Sequence, residues 1–350
     1  MFKDIYKQLH TLGGFTFERK QAALFLYHLS LMSVWDIFNG MPNVNQKTKM
    51  SLFQEGEFGD FYHLIGENAE NCDNERQLNF KVSDRDIDVD LIGGNSKMCT
   101  LMFLQKCWAQ SEDYGLNIYN PQTEAIQRFI QTIAYLAAKR LNKDEYLMAC
   151  FANKNAVGND PIAKILKRAK KYQGVFTEIE NSIAAGNIQI CTDILGEISP
   201  KGQLTNVNAA YKGFQEAYDN MPYELRQFND QDMVYVTTHQ VIANYKKTLR
   251  QQSQKNYDTI VGGVKYLAYD NIPIKPIEHA TPNITKHVWG ENESRIILTH
   301  KENLYHAYDT DADELKMRLK FDEDEDIWRL KYASRTGANF GFESLISVVS

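Results

Sequence analysis

From position 315 the chain alternates with a period of two. Leu315, Met317, Leu319 and Phe321 are interleaved with Lys316, Arg318 and Lys320, then Trp328, Leu330 and Tyr332 with Arg329 and Lys331. Successive side chains of a strand point to opposite faces, so this pattern predicts two strands, each with one apolar and one charged face. Between them the acidic residues 322–326 predict a hairpin turn. A last apolar stretch, 340–349, predicts the strand that closes the chain.

Upstream the pattern changes repeatedly. Residues 17–40 read as a helix, with Ala22, Phe25, Leu26, Leu29 and Met32 on one face and Gly40 and Pro42 as the stop. From about 50 to 95, Gly56, Gly59 and Gly66 punctuate the chain. There Ile87, Val89 and Leu91 alternate with Asp86, Asp88 and Asp90, which predicts a two-sided strand followed by a turn at Gly93-Gly94. Pro121 suits a first helical turn, and Ile126, Phe129, Ile130, Ile133, Ala137 and Leu141 then repeat at helical spacing. A short basic helix is expected over 162–172 and another over 175–185, ended by Gly186.

Residues 205–219 predict a helix with Val207, Ala210, Tyr211, Phe214 and Tyr218 inward. A short strand at 233–236 feeds a helix at 239–250, and the material after it turns to β: 264–269, a turn at Asp270-Asn271, 272–277 and 295–299. Pro273 and Pro276 predict that 272–277 is an edge strand, because proline donates nothing to a ladder. No internal repeat or low-complexity tract is visible.

Composition narrows what such a chain does. Apolar residues make up 43% and charged residues 24%, so most of its 350 residues have the means to fold. The net charge of −6 and the absence of a run of five or six Lys/Arg leave no footprint for tight nucleic-acid binding. Cys72, Cys99, Cys107, Cys150 and Cys191 are odd in number and irregular in spacing, which predicts reduced thiols made in a cytoplasm. Residues 1–14 lack the apolar core of a secretory signal, and the stretch 22–35 is shorter than the roughly 20 residues a bilayer needs.

The sequence carries no recognisable catalytic or ligand-binding motif. Gly262-Gly263 lacks the Lys-Ser/Thr of a phosphate-binding loop, and Gly93-Gly94 lacks the third glycine of a dinucleotide fingerprint. His279, His287, His300 and His306 have no paired carboxylate at metal-ligand spacing, and each is expected to be a structural histidine. Two acidic groups, Asp84 with Asp86, Asp88 and Asp90, and 322–326, are weighed as cation sites. Neither has the spacing of a calcium loop, and solvated charge is the expectation for both. Phe58, Phe61 and Tyr62 are divided between core packing and partner contact. The sequence therefore names no catalytic, cofactor-binding or metal residue.

In order, the predicted elements run helical arm, two-stranded extension, long helix, α/β lobe, antiparallel strands. That order resembles the Hong Kong 97-type major capsid proteins of tailed bacteriophages. So do the phrases VFTEIENSIAAGNI, VNAAYKGFQEAYDNMP, DMVYVTTHQVIANYK and GVKYLAYDNIPIKPI, and the long segment from SRIILTHKENLYHAYD to GANFGFESLISVV. The resemblance implies an α+β fold with an N-terminal arm at 1–49, an extended E-loop hairpin at 50–95 and a P-domain at 96–175 that includes a spine helix at 122–141. It further implies an A-domain at 176–290 and C-terminal strands at 291–350 that complete both domains.

The function implied is self-assembly through hexamers and pentamers into an icosahedral shell around double-stranded DNA, with no enzymatic activity and no cofactor. Implied partners are other copies of the chain, a portal protein, packaged duplex DNA bound without sequence specificity, and scaffolding or decoration proteins, with no membrane. No long charged helical extension precedes the arm, so a separate scaffold, or none, is expected. The implied location is the virion capsid, after synthesis in a bacterial cytoplasm. An encapsulin-type protein compartment and a cytoplasmic enzyme without a recognisable motif stand as alternatives.

Overall fold

The computed structural model describes residues 15–16, 36–44, 47–49, 53–55, 80–82, 85–99, 140–156, 158–199, 202–251, 258–261, 264–290, 293–309, 318–322 and 327–350. In chain order the first strands are β1 (Phe15–Thr16), β2 (Asn39–Met41), β3 (Thr48–Lys49), β4 (Phe53–Glu55), β5 (Phe80–Val82), β6 (Asp86–Ile87) and β7 (Asp90–Cys99). Helical residues 140–151 (α1) follow, then α2 (Pro161–Leu166), α3 (Val175–Ala184), α4 (Ala209–Asp219) and α5 (Tyr223–Arg226). Strand β8 (Met233–Thr237), α6 (His239–Gln251), β9 (Asp258–Val261), β10 (Val264–Tyr269), β11 (Ile272–Pro276) and α7 (Pro282–Thr285) continue the chain. It ends with β12 (Ile296–His300), β13 (Leu304–Tyr308), β14 (Arg318–Asp322), β15 (Ile327–Phe340) and β16 (Ile346–Val349).

One sheet runs β16-β12-β8-β11-β10-β9. Strands β8, β12 and the terminal β16 read MVYVT, IILTH and ISVV, without polar alternation, and every residue in them is buried. The cause is cover on both faces. Val234, Val236, Ile297, Ile346 and Val348 join one apolar cluster with Tyr146 to Ala152 of and after α1 and Val175, Phe176 and Ile179 of α3. Their neighbours Met233, Tyr235, Ile296, Leu298 and Val349 join a second cluster with Phe214 of α4 and Val241, Tyr245 and Leu249 of α6. The period of two is present, but it sorts side chains between two cores rather than between core and water.

The other sheet runs β1-β14-β15-β13-β2, with β7 also paired to β15. The C-terminal hairpin forms as the alternation predicts, with Phe321 opposite Trp328 and Asp322 opposite Ile327. Expectations for 175–185, 233–236, 239–250 and 264–269 also hold to within a residue or two, as does the turn at Asp270-Asn271, whose φ values of 49° and 65° are those of a tight hairpin turn.

Several expectations are corrected. The helix expected to stop at Leu141 continues to 151; Lys143-Asp144-Glu145 resembles a polar end, and from Tyr146 to Phe151 every residue is buried, which leaves no amphipathic stripe to follow. Residues 122–139 of that helix, and 17–35 of the N-terminal one, lie outside the described residues. At 36–41, where the N-terminal helix is expected to run to residue 40, the chain forms a turn and β2, which pairs in parallel with β13. Gly93-Gly94 is no turn but the middle of β7, opposite Ala333 and Tyr332.

The helix expected over 162–172 ends at Leu166, started by Asp160 as N-cap and by Pro161. Helix α4 begins only at Ala209, after Asn208 at φ 60°, so Val207 is not inward but 63% exposed. Strand β11 is interior, between β8 and β10. Its ladder to β10 ends at Pro273 and its ladder to β8 ends at Pro276, so each proline lies at a ladder terminus. The strand expected over 340–349 is two elements, since Phe340 ends β15 and a 3-10 turn at Glu343–Leu345 precedes β16.

His306 behaves as a structural histidine. It is buried, its ring nitrogen meets the Thr336 hydroxyl at 2.8 Å, and burial pushes its imidazole down to about 3. Below pH 6.5 the unfolded chain gains a proton here that the folded chain refuses, so this contribution to stability is present above 6.5 and is lost as pH falls toward 3. Each unit in that window is worth at most about 1.4 kcal/mol. Urea midpoints measured from pH 7 to 4.5 are expected to fall less steeply for His306→Gln than for the wild type; equal slopes would show that the site admits the proton.

Candidate assembly site

The candidate site is the root of a hairpin. Strand β3 pairs with β6, Thr48 opposite Ile87, and β4 pairs with β5, Phe53 opposite Val82. Both ladders share one register and are therefore two stretches of one antiparallel ribbon. Residues 56–79 leave from and return to it, and lie outside the described residues, as do Phe58, Phe61 and Tyr62.

Four sets of contacts tie the returning strand to the body. Arg85 lies with its guanidinium carbon 3.9 Å from the centre of the Phe340 ring and donates to the Ser182 hydroxyl at 3.0 Å and to the Glu343 carboxylate. Burial works against the Glu343 charge, but hydrogen bonds from Asn187, Ser182 and Arg85 hold its carboxyl below the usual range. Asn339 donates to the Asp86 carbonyl at 2.9 Å. Gly337 brings β15 against the backbone of Asp88 so closely that a Cβ there would stand 2.3 Å from the Asp88 oxygen. Asp90 accepts the backbone N–H groups of Lys170 and Lys171 at 2.5 and 2.6 Å.

This anchoring accounts for a change of phase. Ile87 and Val89 are buried as the alternation predicts, yet Asp90 is buried too and Leu91 is 52% exposed. Two residues, Asp88 and Val89, separate β6 from β7, and the pattern shifts by one across them. Asp90 is thus not solvated charge, contrary to expectation, because it is buried and accepts two backbone N–H groups. Asp86 pairs with Lys47 at 2.9 Å across the ribbon. Asp84 and 323–326 lie outside the described residues, among which no group of three metal-ligating side chains occurs.

Arg85, Asn339, Glu343 and Gly337 escaped the sequence reading. Only Gly337 carries a signal, as a glycine within a strand-like run. The remaining histidines stand apart: His300 packs on Phe228, with ring centres 4.5 Å apart, while His287 lies 3.6 Å from Asp160. Cys150 and Cys191 are free thiols. Among the described residues no helix is long and apolar enough to cross a membrane. The site's role is mechanical, since it fixes the ribbon to the larger sheet.

A mixed sheet covered on both faces, a second sheet ending in the C-terminal hairpin, and an anchored ribbon together match known structures over nearly their whole length. A chain of the satellite phage P4 procapsid, which includes a size determination protein, aligns with TM-score 0.57 and 13% identity, over 99% of this chain and 95% of that one. The chain has the Hong Kong 97-type capsid fold. Alignments of lower score are made with an encapsulin from Synechococcus elongatus PCC 7942 and the capsid of the cyanophage P-SCSP1u. The encapsulin aligns at TM-score 0.46 and 9% identity over 92% of this chain and 88% of that one. The cyanophage capsid aligns at 0.42 and 11% over 90% and 86%. No family model matches the capsid-fold sequence, and no curated protein matches it.

Proposed function

We propose that the chain is a major capsid protein that assembles through hexamers and pentamers into an icosahedral shell around double-stranded DNA. The near end-to-end fold match to a procapsid chain carries this reading. Closed shells require each subunit to bind its neighbours through unlike surfaces around rotation axes. A loop anchored at its root suits that requirement, because it adds contact area beyond the subunit's own core.

On this reading residues 1–49 are the N-terminal arm, 50–95 the E-loop, 96–175 the P-domain with its spine helix, 176–290 the A-domain, and 291–350 the strands that complete both domains. The ladders at 48–55 and 80–87 support the E-loop, with the ribbon proper ending near Ile87 where the chain enters the larger sheet. No residue has a catalytic, cofactor or metal role. The partners are other copies of the chain, a portal protein, duplex DNA without sequence preference, and any scaffolding or decoration proteins. The subunit is made in a bacterial cytoplasm and ends in the virion.

Negative-stain microscopy and sedimentation of the full chain, alone and with a scaffolding protein, test the reading. Rings or closed particles are expected. A monomer at every concentration under both conditions would overturn it, and closed particles that exclude DNA in infected cells would point to a protein-only compartment.

A further inference from the structure

Between positions 140 and 171 the chain places eight Lys/Arg against three Asp/Glu, a local surplus of five positive charges in a chain whose net charge is −6. Arg140 is taken up by Asp144 at 3.3 Å, Lys143 is half-buried, and Asp160 caps α2. Lys154, Lys164, Lys167, Arg168, Lys170 and Lys171 remain, all exposed, and among the described residues no carboxylate stands within ion-pair distance of any of them.

Their arrangement is fixed by the fold. Lys164 lies on α2, and Lys167 and Arg168 directly follow it. The buried Asp90 carboxylate ties down the backbone of Lys170 and Lys171. Lys154 comes from beyond the end of α1 and reaches the Lys171 carbonyl at 3.0 Å, while Lys167 reaches the Gly158 carbonyl at 3.1 Å. These two contacts bring the stretches together, so that their six exposed cations lie side by side on the surface. Like charges so close repel one another, and a neutralising polyanion relieves that repulsion while releasing its own condensed counterions.

We propose that this face binds the phosphate backbone of duplex DNA without reading its sequence, and so forms the cargo-facing patch of the shell. That the duplex is cargo rests on the capsid reading above; the charge geometry does not. Duplex DNA presents a phosphate charge about every 1.7 Å of axis, so one segment lying across the face meets several of these side chains at once. Lysines that lack a planar, bidentate partner suit such contact, because they act as mobile point charges. Sequence reading missed the patch because Ile165, Leu166 and Ala169 interrupt the cations, and Lys154 lies at a distance along the chain.

The test is fluorescence anisotropy of a short labelled DNA duplex with the full chain, at concentrations where sedimentation shows it unassembled and across a salt series. Lys164→Glu/Lys167→Glu/Arg168→Glu is compared with Lys246→Glu/Lys247→Glu/Arg250→Glu, an equal charge change on exposed residues of α6. The wild type and the α6 variant are expected to bind with steep salt dependence. The patch variant should lose at least tenfold in affinity, and its slope of log affinity against log salt should fall by about 2.7. Both variants are checked for wild-type melting. Wild-type protein that ignores the duplex, or equal losses in the two variants, would overturn the proposal. So would a patch variant that binds DNA normally but no longer forms particles, since the face would then belong to a subunit contact. Failure of the wild type to form particles counts instead against the capsid reading, because the binding assay uses unassembled chain.

Discussion

Gly337→Ala is expected to lower the stability of the subunit by about 2–5 kcal/mol and to abolish particle formation. The added Cβ would stand 2.3 Å from the Asp88 carbonyl oxygen and 3.0 Å from a Val89 methyl, and the first of these is backbone that no rotamer change can move aside. Something must shift. Strand β15 is paired on one side with β13 and on the other with β7, a ladder that closes at Thr336 opposite Asp90, one residue before the glycine. The less constrained side is the stretch around Asp88 and Val89, which lies outside any strand. Pushing it outward strains the Asn339–Asp86 bond, the stacking of Arg85 on Phe340 and the two donors held by Asp90. Overpacking costs about 1–3 kcal/mol and each lost hydrogen bond about 1 kcal/mol, which gives the range stated.

Assembly is the more sensitive readout, because a displaced root redirects everything the ribbon carries. Asn339→Ala, which removes two hydrogen bonds, one to the Asp86 carbonyl and one from the Phe340 N–H, and adds no bulk, should cost only about 2 kcal/mol and leave particles intact. Urea titration and electron microscopy of both variants decide the matter. A Gly337→Ala protein with wild-type midpoint and particle yield would show that the root is neither tight nor needed.

The contrast between Gly337 and the C-terminal hairpin shows where sequence is legible. Leu319, Phe321, Trp328 and Leu330 alternate against lysine and arginine, so their pattern alone predicts the hairpin. Covered from both sides, β8, β12 and β16 show no contrast between faces, and what places Val236 in one core and Tyr235 in the other is long-range packing. For the same reason the sequence pattern ends α1 too early. The root of the ribbon was hidden differently: Arg85, Asn339 and Glu343 are ordinary surface residue types, and they meet across up to 258 positions of sequence. The Pro273 and Pro276 reading failed because a proline excludes a strand from an interior position only if its missing N–H faces a ladder that continues.

The largest purely energetic effects should come from emptying either core. Phe214 is fully buried on α4, with ring centres 4.9 Å from Tyr235, 5.0 Å from Tyr245 and 6.0 Å from Tyr269. Collapse into the space left by Phe214→Ala is resisted, because Tyr245 donates to the Ala268 carbonyl and Tyr235 to the carbonyl of residue 214 itself. The cavity should persist, and the cost should reach the upper part of the usual range, about 3–5 kcal/mol. On the opposite face of the sheet Phe151 packs on Phe176 at 5.3 Å and on Trp289 at 5.5 Å, and Phe151→Ala should cost a similar amount. Either loss approaches the lower limit of a domain's total stability, about 5 kcal/mol, so each single variant should remain folded only in mild conditions. The two phenylalanines belong to different clusters and share no partner. Their effects should therefore add, and the double variant should fail to fold. Urea midpoints of the single variants at 25 °C, with soluble yield for the pair, measure this directly. A double variant that folds nearly as well as either single one would mean that the two faces share one core, and the layered arrangement of helices on both sides of the β8 sheet would be wrong.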